Sequence, residues 1–154
     1  MEIYDLIKLE SILANFHATS KKQAIQDLSK KAADITGLHE RAISDVLMER
    51  ERLGTTGVGN GIAIPHGKLP SLVSLHGVFA RLEKPVDFQS IDEQPVDLIF
   101  LLLAPETAGA DHLKALARVS RLLRDKTICE KLRGTEKSEA LFVILTQGSA
   151  HQAA

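Results

Sequence analysis

The sequence predicts an α/β fold, a three-layer α/β/α sandwich around a small mixed β-sheet. Helical periodicity dominates both ends of the chain, while glycine-rich and extended segments fill its middle. One continuous apolar segment, residues 96–104, is typical of a strand that helices cover on both faces. A chain of 154 residues fits one domain, which we expect to span residues 1–148 before a disordered tail at 149–154.

Two helices are predicted in the first third of the chain. Ser20 opens the first one, and Gln23 completes a capping box that satisfies exposed backbone N–H groups. Its apolar residues recur at helical spacing until Gly37 ends the helix: Ala24, Ile25, Leu28, Ala32 and Ile35. The second helix is expected to end near Leu53, with an apolar face of Ala42, Ile43, Val46 and Leu47.

Extended segments are predicted at residues 57–64, 75–82 and 96–104, and the chain is helical again after them. One helix is expected to share a face among Leu113, Leu116, Ser120 and Leu123. A short turn at residues 128–132 follows. Thr135 is expected to cap a last helix that runs to Thr146.

The composition excludes several classes of protein. A formal net charge of −1 gives no positive field for nucleic acid, and five Phe with one Tyr form no platform for stacked bases. The single cysteine excludes an internal disulfide and a cysteine-based zinc site. The longest apolar run, residues 98–104, is too short to span a bilayer. We therefore expect a cytoplasmic protein with no nucleic-acid partner and no membrane insertion.

The segment at residues 50–68, RERLGTTGVGNGIAIPHGK, is the most informative one, and its glycines invite a test for nucleotide binding. A P-loop needs four residues between its first glycine and Gly-Lys, whereas five separate Gly61 from Gly67. The dinucleotide fingerprint, counted from Gly57, needs a third glycine where the chain has Ile62. Both nucleotide motifs are therefore excluded.

His66 lies between Pro65 and Gly67, which would hold its imidazole at a rigid edge. A neutral histidine is a good nucleophile for phosphorus near pH 7. Phosphoryl transfer then asks the protein mainly for positioning and for donors around the phosphoryl oxygens.

Donors for those oxygens are available in the same segment. Gly59, Asn60 and Gly61 could supply backbone amides, and Arg50 could supply a planar fork of N–H groups. The residue types alone leave other interpretations open. The histidine could be an ordinary surface residue, the glycines could serve only a turn, and Arg50 could pair with Glu49 or Glu51.

Four segments in order resemble the enzyme IIA domain of the fructose–mannitol class of the bacterial phosphoenolpyruvate-dependent phosphotransferase system, and its nitrogen-related, stand-alone branch in particular. They are SKKQAIQDLSKKAADITGL, TGVGNGIAIPHGKL, PVDFQSIDEQPVDLIFLLLAPE and DHLKALARVSRLLRD. The resemblance covers nearly the whole chain, and GIAIPHGK is its most specific part. The chain has no segment resembling a IIB or IIC, so it is expected not to move a sugar itself.

The resemblance implies the roles of three residues. The histidine of the family's Pro-His-Gly motif, phosphorylated on a ring nitrogen, corresponds to His66. His112, at the start of a helix, would support the phosphoryl group, and Arg50 would contact it. The mannitol-type domain carries Glu where this chain has Asn60, so an acidic role there is in doubt.

The resulting hypothesis is a phosphotransferase component with a mainly regulatory output that needs no cofactor or metal. An HPr-like phosphocarrier would donate to His66, and the phosphorylation state would control targets such as transporters or sensor kinases. Three alternatives stay open. They are a sugar-specific IIA that serves a separate IIB, a binding module without phosphotransfer, and a metal-dependent hydrolase with His66 and His112 as ligands.

Overall fold

The computed structural model describes residues 1–153, with side chains described through residue 147. The tail expected at residues 149–154 lies outside the residues whose side chains are described. The helices are α1 Lys21–Thr36, α2 Glu40–Arg52, α3 Ala110–Arg124, α4 Lys126–Arg133 and α5 Ser138–Ala153. The strands are β1 Ile12–Leu13, β2 Gly57–Gly59, β3 Ile62–Ala63, β4 His66–Leu69, β5 His76–Val86 and β6 Val96–Pro105. Two short 3₁₀ turns precede β1, at Ile3–Asp5 and Leu9–Ser11.

The sheet is mixed and is organised around β6. Its order is β1-β5-β6-β3-β2, and β4 also pairs with β6. β5 runs antiparallel to β6, whereas β3 and β4 run parallel to it. β3 pairs with Leu98 and Ile99, and β4 continues beside the next part of β6 from Leu102. This arrangement confirms the predicted mixed sheet.

The core has two parts, one on each face of the sheet, as the apolar run at residues 96–104 predicted. Leu98, Phe100 and Leu102 pack on the face covered by α3, α4 and α5. The alternate residues of β6 pack on the face covered by α1 and α2: Ile99, Leu101 and Leu103. Every one of these side chains is fully buried or nearly so. The three layers of the predicted α/β/α sandwich are therefore confirmed.

The ends of α1 follow the predicted capping with one change. Ser20 accepts a hydrogen bond from the Gln23 N–H, and Gly37 ends the helix at φ +76°. The Gln23 side chain, however, accepts from the Thr19 N–H at 2.8 Å instead of returning to Ser20. The return hydrogen bond of the capping box is therefore made to Thr19, one residue before the N-cap Ser20.

Two predicted helix faces need correction. Ala42 of α2 is exposed, whereas Ile43 and Leu47 are buried. In α3 the predicted face is displaced by one residue, since Leu113 is 67% exposed. The residues of α3 that are buried are His112, Ala115, Val119, Leu122 and Leu123. The prediction was displaced because the buried face of α3 begins at His112, a polar residue that a search for apolar periodicity leaves out.

Two local predictions were wrong, and two short strands were not predicted. The extended segment at residues 57–64 is a hairpin of β2 and β3, because Asn60 reverses the chain at φ +57°. Thr135 does not cap α5; its hydroxyl bonds the Lys131 carbonyl and closes α4. β1 and β4 were not predicted, since two and four residues are too short for a clear period.

Candidate functional site

His66 is the first residue of β4 and pairs with Leu102 of the central strand. The Leu102 N–H donates to the Pro65 carbonyl at 2.9 Å, so the backbone is fixed immediately before the histidine. The next residue must be small, because a Cβ on Gly67 would lie 2.4 Å from Cγ1 of Val46. Gly67 thus lets α2 pack closely against β4 and brings the end of α2 to the histidine.

Two hydrogen bonds fix the protonation of the His66 ring. Nδ1 lies 2.9 Å from the Ile64 carbonyl oxygen, which can only accept, so Nδ1 carries the proton. Nε2 accepts from Nε of Arg50 at 3.3 Å and therefore holds the lone pair. Burial lowers the pKa of His66; the Ile64 carbonyl opposes this shift, and the Arg50 charge adds to it. The ring is therefore a neutral imidazole at pH 7 whose lone pair is on Nε2.

Arg50 lies in the last turn of α2 and forms a hydrogen bond with the loop that follows the helix. Its Nη1 donates to the Gly54 carbonyl at 2.9 Å, while Nε faces His66. The sequence left open a pairing of Arg50 with Glu49 or Glu51. Glu49 forms an ion pair with Arg52, and Glu51 forms one with Lys21. Neither carboxylate holds Arg50, which contacts His66 instead.

Glu51 is a buried anchor for this end of α2 that the sequence did not predict. Its carboxylate accepts from the Thr56 N–H at 3.0 Å and from the Thr56 hydroxyl. It also forms an ion pair with Lys21 at 2.8 Å, in which the side chains are 3% and 13% exposed. Lys21 lies over the Phe88 ring, 5.1 Å from its centroid. These contacts join the start of α1 to the end of α2 beside Arg50.

His112 is the third residue of α3, in the first helical turn after Gly109. Its ring centroid lies 5.7 Å from that of His66, and the side chain is only 9% exposed. Burial lowers the pKa of His112, and the neighbouring His66 and Lys68 lower it further. Its Nε2 is buried with no hydrogen-bond partner. A buried polar atom without a partner is costly and points to a ligand atom that completes it.

Lys68 is a cation of the site that the sequence interpretation missed. It lies two residues after His66 in β4, so both side chains project from the same face of the strand. Its charge contributes to lowering the pKa of His112. The signal available in the sequence was this period of two, counted from the histidine itself.

The turn at Gly59, Asn60 and Gly61 is not in hydrogen-bonding contact with the histidines. Its Asn60 N–H donates to the Asp92 carboxylate at 2.9 Å, and its Asn60 carbonyl accepts from Arg133 at 2.7 Å. Within the described residues, no hydrogen bond joins this turn to either histidine or to Arg50. The structure thus brings Arg50 and the two histidines together and leaves the turn beside α4.

A metal centre would need more ligands than this site offers. Among the side chains that the structure describes, no group of three or more His, Cys, Asp or Glu is placed to hold a metal ion. A hydrolase built on the two histidines would need a third protein ligand. Over the described part of the chain, no helix combines the length and the apolar character that crossing a membrane requires.

Comparison with known proteins gives consistent matches over nearly the whole chain. Residues 5–148 match the family model described as "Phosphoenolpyruvate-dependent sugar phosphotransferase system, EIIA 2". A nitrogen regulatory protein of Bradyrhizobium diazoefficiens is 59% identical over 145 residues, which are 94% of this chain and 95% of that protein. The crystal structure of nitrogen regulatory protein IIA-Ntr from Neisseria meningitidis superposes with a TM-score of 0.89 at 34% identity, covering 94% of this chain and 99% of that one. The mannitol IIA structure from Escherichia coli shares the fold, with a TM-score of 0.77 at 20% identity over 90% of this chain and 98% of that one.

Proposed function

We propose that this chain, which belongs to the EIIA 2 family of the phosphoenolpyruvate-dependent sugar phosphotransferase system, accepts a phosphoryl group on Nε2 of His66. The observation that carries the proposal is the state of the His66 ring. Its proton is held on Nδ1 by the Ile64 carbonyl, and the lone pair on Nε2 points toward Arg50. The family match over residues 5–148 supports a single domain at residues 1–148.

The transfer step needs no proton to move. The Nε2 lone pair of His66 attacks phosphorus of a phosphohistidine on an HPr-like phosphocarrier. A new N–P bond forms as the old one breaks. The donor ring, which carries a proton on its other nitrogen, keeps the electron pair of the broken bond and leaves as a neutral imidazole. The His66 ring gains positive charge in this step. The Ile64 carbonyl, which accepts from Nδ1, stabilises that charge.

Three cationic or polar groups are proposed to receive the phosphoryl oxygens. Once Nε2 is bonded to phosphorus, it can no longer accept from Arg50, whose N–H groups then turn to the oxygens. The unpartnered Nε2 of His112 can carry a proton and donate to another oxygen. Lys68 adds a positive charge from the same strand, and the first turn of α3 favours an anion.

We propose a regulatory output, because the relative that is 59% identical over nearly its full length and the structure with a TM-score of 0.89 are both nitrogen regulatory proteins. A phosphoryl group would add up to two negative charges beside Arg50 and α3 and so change which proteins dock there. The targets proposed are transporters or sensor kinases. A pull-down that compares wild type with His66→Ala and His66→Glu tests this, and identical partner sets for all three would contradict it.

The phosphoryl acceptor is tested by incubating the protein with labelled phosphoenolpyruvate, enzyme I and an HPr-like carrier. We expect acid-labile label on wild type and on the control His17→Ala, whose side chain is exposed. We expect none on His66→Ala. Absence of label on wild type would refute phosphoryl acceptance. Label that persists on His66→Ala would assign the acceptor to another residue.

A further inference from the structure

A cavity of about 600 Å³ lies between the β2–β3 hairpin, the end of α3 and α4. None of Arg50, His66 and His112 lines it, so it is separate from the phosphoryl site. Its apolar lining comes from Val58 of β2, Ile62 of β3, Ile64 just after β3, and Leu123 of α3. Ligand sites for small molecules commonly have about 300–1,000 Å³ and a mostly apolar lining. The cavity therefore has the volume and the apolar lining that are typical of a small-molecule site.

Most of the charged residues that line the cavity are cationic. Arg124, Lys126 and Arg133 line it, against a single acid, Glu130. Arg133 is committed, since it donates to Asp97 and to the hairpin. Arg124 and Lys126 form no hydrogen bond or ion pair with any side chain that the structure describes. Among the side chains that the structure describes, these two cations thus have no partner, and they lie at the junction of α3 and α4 beside the apolar residues of the cavity.

We propose that this cavity binds a small organic anion with an apolar body, such as a medium-chain carboxylate. The anionic group bonds Arg124 and Lys126, where it gains charge-assisted hydrogen bonds. The apolar body covers Ile62, Ile64 and Leu123 and is removed from water. A cation of the same length would meet the like charges of the rim, so the site discriminates by charge.

The cavity communicates with the phosphoryl site through one residue. The Ile64 side chain lines the cavity, while its carbonyl accepts the Nδ1 proton of His66. A bound anion therefore contacts the residue that sets the tautomer of the histidine. Binding itself is measured on unphosphorylated protein, so the test does not depend on the proposed transfer to His66.

Octanoate is the probe for a direct binding experiment on the wild-type chain. We expect saturable shifts in methyl NMR spectra at Ile62, Ile64 and Leu123 as octanoate is added. Octyltrimethylammonium, which has the same chain length and the opposite charge, should leave these methyl signals in place. Absence of saturable shifts at millimolar octanoate would overturn the proposal. Shifts centred on other methyl groups, or equal shifts with the cation, would overturn it as well.

Paired charge variants test the role of the rim. Arg124→Gln combined with Lys126→Gln is expected to weaken octanoate binding about tenfold or more, because two charge-assisted contacts are lost. Lys114→Gln combined with Arg121→Gln removes the same charge from exposed positions of α3 that do not line the cavity. We expect this control to bind like wild type. Equal loss in both pairs, or no loss in the first, would refute a built anion site.

Discussion

Replacing Arg50 with alanine should slow phosphoryl acceptance far more than it destabilises the fold. The substitution removes a half-buried side chain at the end of α2 with two hydrogen bonds. One goes to Nε2 of His66 at 3.3 Å, and the other goes to the Gly54 carbonyl at 2.9 Å. Glu51 still holds the end of the helix through Lys21 and Thr56.

The cost to folding follows from those two bonds. A hydrogen bond of this kind contributes about 1 kcal/mol net, and of the two partners Gly54 is exposed and His66 is half-buried. We therefore expect the free energy of unfolding to fall by about 1–2 kcal/mol. For a chain of this size that corresponds to about 2–8 °C in Tm.

The cost to transfer is larger, because Arg50 is proposed to bond the phosphoryl oxygens as their charge develops. Removal of one preorganised donor of this type lowers rates by about 10²–10³-fold. That loss corresponds to about 3–4 kcal/mol in the barrier. Removal of the Arg50 charge also lets the pKa of His66 rise, since that charge lowers it in wild type.

The assay combines rapid-quench measurement of initial labelling with thermal unfolding of the same preparations. Arg52→Ala is the matched control, because it lies two residues further along α2 and pairs with Glu49 at a side chain that is 71% exposed. Such surface pairs contribute little to stability, so we expect both its rate and its Tm to stay near wild type. Arg50→Lys keeps the charge without the planar fork and should fall between wild type and Arg50→Ala.

Two results would refute this reasoning. A rate for Arg50→Ala that falls only in proportion to its unfolded fraction would show a structural role alone. An equal loss of rate in Arg52→Ala would show that the general charge of the helix end, and not the contact with His66, is responsible.

Three further predictions concern the residues around the acceptor. His112→Ala should slow labelling of His66 by roughly 10–100-fold without abolishing it, because a single donor to a charged oxygen is lost; quench-flow rates check this. Gly67→Ala should destabilise the fold by about 1–3 kcal/mol, since its Cβ would lie 2.4 Å from Val46 Cγ1. In urea denaturation, adding Val46→Ala should recover part of that loss, and simple additivity would contradict the clash. Because burial lowers the pKa of both histidines, acceptance should persist below their ordinary value near 6.5 before it is lost in acid. The unfolded chain then binds more protons than the folded one, so stability should also fall as pH drops through that range.

The elements that the sequence predicted correctly are those specified by neighbouring residues. The start and end of α1 depend on Ser20 and Gly37, and each acts within one turn of the helix. β6 was recognisable because its burial on both faces leaves a continuous apolar run. β4 was missed because it has only four residues, and two of them, His66 and Lys68, are polar, so no apolar run or clear period marks the strand.

The residues of the site likewise divide into those that local motifs indicate and those that only contacts between distant segments bring together. Arg50, His66 and His112 could be named from local motifs and from the family resemblance. The ion pair of Lys21 with Glu51 joins residues 30 positions apart, and no local pattern in the chain specifies it. The glycines of the hairpin suggested amides for phosphate, yet the Asn60 N–H is taken by Asp92. A glycine-rich turn in a sequence indicates the backbone conformation of the turn. Which groups its N–H and carbonyl groups bond depends on the elements that pack beside it, here Asp92 and Arg133.

Burial and Arg50 lower the pKa of His66, whereas the Ile64 carbonyl raises it. These opposing effects suit a phosphocarrier, which must both accept and release a phosphoryl group. Burial and the Arg50 charge make the ring less basic, which keeps Nε2 unprotonated at neutral pH and makes the imidazole a better leaving group. The Ile64 carbonyl acts in the other direction and preserves nucleophilicity by stabilising positive charge on the ring. A more basic histidine would be protonated at neutral pH, whereas one without the carbonyl would lose the acceptor that stabilises positive charge on the ring. The backbone at Ile64 therefore matters to the proposed transfer as well as the side chains do, and it is held in place by the Ile64 N–H, which donates to the Thr56 carbonyl at 3.0 Å.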